Sequence, residues 1–146
     1  MKKAKLFGII ALLAIIVLGV AGCDNGTPDG ISLSAWYIFR SAPVGYGSQT
    51  ILLATVERSK PNDTKYLIVT CTNTAAFFVE RESFDNPTPF AGDKRTLRIG
   101  LRSGLSEGTY TAIFTVYLIE TYSSTINKAL DSKSFNVSFT VIPLDP

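Results

Sequence analysis

The chain has 146 residues, with 14 Lys and Arg against 12 Asp and Glu, two cysteines and no histidine. Without histidine it lacks the commonest general base and the commonest metal ligand. Its formal charge of +2 is carried by lysines in the first five residues; without residues 1–22 the balance is 11 against 12, near −1, which removes the basic footprint of a nucleic-acid partner.

The chain opens with Lys2, Lys3 and Lys5, followed by an apolar run from Leu6 to Val20 and then Ala21, Gly22 and Cys23. A positive start, an apolar centre and a small-residue ending have the layout of a cleaved, helical export signal. The last four residues, Val20-Ala21-Gly22-Cys23, resemble the lipobox of bacterial lipoproteins at every position. That resemblance implies cleavage between Gly22 and Cys23, a diacylglycerol on the Cys23 thiol, and a further acyl chain such as palmitate on the new amine. One acyl chain binds membranes only reversibly, whereas two or three hold essentially permanently. An uncleaved spanning helix competes with this reading. It has 17 residues from Leu6 to Gly22, at the short end of the roughly 17–25 that cross a bilayer, and leaves the small-small-Cys ending unexplained. The expected organisation is therefore a signal peptide (1–22), a lipidated cysteine with a short polar tether (23–30), and one β domain (31–146). The Cys23 thiol is taken by lipid, so Cys71 has no intrachain partner and is expected to be a small buried apolar residue.

From Ile31 onward, short apolar runs alternate with turn signals, which predicts strands at 31–40, 50–58, 65–72, 75–82, 94–102, 108–120 and 133–142. The last is the cleanest. Phe135, Val137, Phe139 and Val141 alternate with Ser134, Asn136, Ser138 and Thr140, so one face is buried and one is wet. Leu97, Ile99 and Leu101 should face inward with Arg98 and Arg102 outward, and Phe77 and Phe78 cannot both face the core. Strands at this spacing predict an all-β sandwich or barrel.

The segment Leu105-Ser106-Glu107-Gly108-Thr109-Tyr110 resembles the corner before strand F of immunoglobulin-like domains. The resemblance implies a seven-stranded, antiparallel immunoglobulin-like β-sandwich, with Tyr110 as a corner tyrosine bonding back to upstream backbone. Ala112 stands where an antibody domain has its second cysteine, and Trp36 falls on the first strand rather than the third. The likeness is therefore to disulfide-free bacterial surface modules.

Catalytic patterns are missing: no nucleophile triad, zinc spacing, phosphate loop or dinucleotide fingerprint is present. Glu80 and Glu82 share a strand face, as a paired-acid site would, but Arg81 and Ser83 mark a solvated strand end. Asp85, Asn86 and Asp93 are turn residues without calcium-loop spacing. Lys94, Arg98 and Arg102 read as solubilising charges, and Tyr46 and Tyr122 as loop aromatics without a glycan-binding platform. No enzyme activity, cofactor or metal is expected.

The expected role is a non-catalytic, protein-binding or structural lipoprotein of the bacterial cell envelope, on the periplasmic face or the cell surface. Its partners would be the membrane, through covalent lipid, and another envelope protein. A surface adhesin-like or glycan-binding module is the alternative. With so short a tether, the loops at 59–64, 83–93 and 121–132 should face the membrane. Phe84, Phe90, Ile126, Lys128 and Leu130 are the candidate contacts there.

Overall fold

The computed structural model describes residues 29–80 and 87–144. Among these are nine strands: β1 (Ile31–Tyr37), β2 (Ser41–Pro43), β3 (Gln49–Arg58), β4 (Lys65–Cys71), β5 (Phe77–Val79), β6 (Thr88–Phe90), β7 (Lys94–Leu101), β8 (Gly108–Ile119) and β9 (Asp131–Ile142). A single-turn 3-10 helix, Ile126–Lys128, lies between β8 and β9. One sheet has the order β1-β3-β7-β5 and the other β2-β9-β8-β4-β6. This is an immunoglobulin-like β-sandwich. No helix of the described residues is long and apolar enough to cross a membrane.

All seven expected strands are present, and two three-residue strands join them. β2 lies within what the sequence presents as the loop after the first strand, and it runs parallel to β9, the one parallel pairing among the described residues. β6 lies inside the expected loop 83–93 and pairs with β4. Each contains a proline, Pro43 or Pro89, and each sits at a sheet edge, where a strand can lack an outward donor.

The core follows from alternation. Leu97, Ile99 and Leu101 of β7, and Phe114, Val116 and Leu118 of β8, are fully buried. So are Ile51, Ala54 and Val56 of β3 and Phe139 of β9, so the two inner faces meet in one apolar layer. The adjacent phenylalanines divide as strand parity requires. Phe77 enters the core, while Phe78 lies over Gly100, where a Cβ would collide with its ring.

The registers also fix which loops share an end. Ile31 pairs with Arg58, Glu57 with Lys94, Lys65 with Phe90, and Leu118 with Asp131. The chain entry at residues 29–31 therefore shares one end, the basal end, with segments 59–64, 91–93 and 120–130. Gln49 opposite Leu101 and Gly108 opposite Val141 define the distal end, together with segments 44–48 and 102–107.

Candidate functional site

The basal end is held by charge. Arg58 and Lys65 continue the inward-facing stripes of β3 and β4, so parity carries two cations to the rim of an apolar layer. The Arg58 side chain is fully buried, and its guanidinium pairs with Asp29 and Asp63. It also donates to the carbonyl oxygens of Asp63 and of Phe90, the latter at 3.1 Å. Lys65 Nζ reaches Asp63 at 2.8 Å and Glu120 at 2.5 Å. Burial opposes the charge on Arg58, but the two carboxylates more than offset it and hold its pKa above the ordinary value. Hydrogen bonds from Lys65 and then Arg58 hold Asp63 below the usual carboxylate range.

This network ties down the chain entry. The Asp29 carboxylate is bound to Arg58, and Gly30 and Ser59 exchange two hydrogen bonds of 2.9 Å, one of them to the Ser59 hydroxyl. The Ile31 N–H donates to Asp131 Oδ2 at 2.9 Å, and Lys133 Nζ pairs with the same carboxylate. Residues 29 and 30, which the sequence presents as tether, are thus part of the domain surface.

Burial pushes the Asp131 pKa up, but the N–H groups of Ile31 and Ser132 and the Lys133 ammonium outweigh it, leaving a net downward shift. Its folded pKa is below its unfolded one, so its stabilisation is present above the unfolded value, near 4, and is lost as pH falls through the folded value. Asp63 acts with the same sign. Thermal melts should hold steady from neutral pH down to about pH 5 and then decline. Asp131→Asn should weaken that decline; a melt series whose acid limb is the same in the variant would contradict the assignment.

The candidate contact residues separate. Ile126, Lys128 and Leu130 lie exposed on the basal segment between β8 and β9, beside Tyr122, whose ring packs edge-on against Tyr66 at 5.9 Å. Phe90 is a correction: it is 1 % exposed, drawn into the core as the last residue of β6, and offers no surface for contact. Phe84, Glu82, Asp85 and Asn86 lie outside the described residues, as do Gly22 and Cys23. Tyr110 Oη donates to the Ser106 carbonyl at 2.9 Å, across the turn into β8. Cys71 is half-buried, and burial raises its thiol pKa.

Four of the residues weighed as chemistry are committed to structure. Thr50 donates its hydroxyl hydrogen to Glu80, Lys94 pairs with Glu57 at 3.0 Å, and Arg102 donates to the Thr74 carbonyl and lies over the Phe78 ring. Tyr46 leans against Phe139 and donates to the Arg102 carbonyl at 2.5 Å. Among the described residues, no group of three or more Asp, Glu or Cys could hold a metal ion.

A second surface was not anticipated from the sequence. Of the four strands that end a sheet, β2, β5 and β6 have three residues each, whereas β1 has seven. Hydrogen bonds from Ser59 to Gly30 and from Ile38 to Ile51 fix the alternation along β1. Its even-numbered main-chain groups face β3, so those of Leu33, Ala35 and Tyr37 face away from the sheet. Segment 31–39, Ile-Ser-Leu-Ser-Ala-Trp-Tyr-Ile-Phe, has no charge and no proline, and Trp36, Ile38 and Phe39 are each nearly half exposed. The legible signal was a strand-like run without the charges that usually protect an edge.

Neither models of known protein families nor curated proteins match the chain. Solved structures do. The PapD-like domain 7 of human CEP192 superposes with a TM-score of 0.57 at 9% identity, over 85% of this chain and 93% of that one. Self-complemented MyfA, the major subunit of Myf fimbriae from Yersinia enterocolitica, solved with galactose, gives 0.55 at 15% identity, over 75% and 99%. A second structure of self-complemented MyfA gives 0.52 at 13% identity, over 76% and 97%. At these identities the likeness is one of fold.

Proposed function

We propose that the chain is a lipid-anchored, non-catalytic module of the bacterial envelope that binds another protein by strand addition at β1. The observation that supports this most is the edge itself: seven uncharged residues, the main-chain groups of Leu33, Ala35 and Tyr37 turned away from β3, and exposed Trp36 followed by exposed Ile38 and Phe39. Main-chain pairing supplies affinity at such an edge, and alternate side-chain contacts supply selectivity. The anchor is Cys23, at the end of a sequence matching the lipobox at every position.

Two features narrow the partner. The MyfA subunit is described as self-complemented, and here β8 already lies between β4 and β9, so the five-stranded sheet has no interior vacancy for a donated strand. Pairing of two copies through β1 under a closed two-fold axis would be antiparallel and would point their basal ends in opposite directions. Copies anchored in one bilayer cannot adopt that arrangement. The partner is therefore an extended segment of a different envelope protein. The alternative of glycan binding keeps only one of its two loop aromatics, because Tyr46 is engaged with Phe139 and Arg102 while Tyr122 stands apart on the basal end.

A photo-crosslinker at Ser34 in the full chain, activated in intact cells, tests the reading. A discrete hetero-adduct should form. It should vanish with Ala35→Pro, which removes an outward N–H without breaking a β1–β3 bond, while the melting temperature stays close to that of the parent. An adduct insensitive to Ala35→Pro, or one joining two copies of this chain, would contradict it.

A further inference from the structure

The basal surface carries a second, independent feature, and its interpretation rests on Cys23 being the lipid anchor. We infer that Tyr122, Ile126, Lys128 and Leu130 form a platform that rests in the headgroup layer of the anchoring membrane, so that the domain stands on its basal end.

The chain entry and the platform are joined. Leu130 immediately precedes Asp131, and Asp131 holds the Ile31 N–H at 2.9 Å. The entry is fixed further by Asp29 on Arg58 and by the paired hydrogen bonds between Gly30 and Ser59. Only residues 24–28 separate the anchor cysteine from the docked Asp29, and they span at most about 20 Å even when fully extended. The strands are longer than that reach: β8, with 12 residues, runs about 40 Å from end to end. A tether fixed at the base cannot bring the distal end to the same bilayer while the base stands away from it.

The platform has interfacial chemistry. Tyr122 is 65 % exposed and Ile126 and Leu130 are each 40 % exposed. A tyrosine, two aliphatic side chains and a lysine on one short segment are residue types that settle at a membrane–water boundary, where apolar bodies sink and polar tips stay wet. Contact there sets orientation, while the acyl chains provide the hold. It also leaves β1 upright, with Trp36, Ile38 and Phe39 toward the distal end and clear of lipid.

The test uses the full-length protein purified with its lipid from bacterial membranes and placed in phosphatidylethanolamine–phosphatidylglycerol vesicles that carry a quencher on the acyl chains. In a Cys71→Ser background, a fluorophore is attached at Asn127→Cys or, as the distal comparison, at Gly47→Cys. Quenching should appear at 127 and be absent at 47. Adding Ile126→Asp and Leu130→Asp should abolish the quenching at 127 while the protein still floats with the vesicles. Equal quenching at both sites, or quenching at 127 that survives the two aspartates, would overturn the platform and leave the anchor standing. Protein that fails to float would overturn the anchor, and the platform with it.

Discussion

Arg58→Ala is expected to lower the unfolding free energy by about 3–5 kcal/mol, the cost of breaking a buried ion pair by removing one partner. For a domain of this size that is a fall in melting temperature on the order of 10–25 °C. The guanidinium is fully buried and serves four acceptors on three segments: the carboxylates of Asp29 and Asp63 and the carbonyls of Asp63 and Phe90. Alanine leaves those carbonyls unpaired and Asp29, itself mostly buried, beside an empty site. Arg58→Lys should recover only part of the loss, because an ammonium cannot span the same acceptors in one plane. Urea unfolding of the three proteins in one detergent measures this. If Arg58→Ala were as stable as the parent, the network would be decoration rather than the clasp of the basal end.

Phe114→Ala should cost a similar amount, about 3–5 kcal/mol, by a different mechanism. Phe114 is fully buried at the middle of β8, edge-on to Phe77 at 6.3 Å and stacked on Phe135 at 5.5 Å. Phe77 belongs to the opposite sheet, so the Phe114 ring is a bolt between the two layers. Removing it opens a cavity in a close-packed interior and ends both aromatic contacts. Phe114→Leu keeps most of the volume and should cost under about 1.5 kcal/mol. Calorimetry distinguishes the two; equal losses would mean that volume is not what the site requires.

The second half of the sandwich was the legible half. In β7 and β9 the apolar residues alternate over long strands and assign the inner face correctly, whereas β8 also carries Ile113, Tyr117 and Ile119 on its outer face, Ile119 fully buried there. Strands β2 and β6 escape such reading because three residues show no periodicity and each holds a proline, which argues against a strand unless the edge position is known. The misplacement of Phe90 follows directly: as a loop residue it would be exposed, and as the end of β6 it closes the core.

The basal network could not be assembled from sequence, since residues 29, 58, 63, 65 and 120 meet only once the sheets have closed. One local clue was available. Arg58 and Lys65 occupy inward positions at the ends of their strands, flanking a loop that contains Asp63. A charge at inward parity, next to an opposite charge in the adjoining loop, marks a buried pair. Likewise, that β1 lies at a sheet edge depends on which strands end each sheet, a property of topology rather than of composition.

In the proposed arrangement the two surfaces divide the labour: the base, which holds the chain entry, would rest on the bilayer, and β1 would run upward from it with Trp36, Ile38 and Phe39 away from lipid. Everything in this arrangement depends on Cys23 carrying the anchor. Intact-mass measurement of the protein extracted from bacterial membranes tests that most directly. The expected mass is that of a chain beginning at Cys23 with an added diacylglyceryl group and an amide-linked acyl chain. A chain that retains residues 1–22 with an unmodified Cys23 would contradict it.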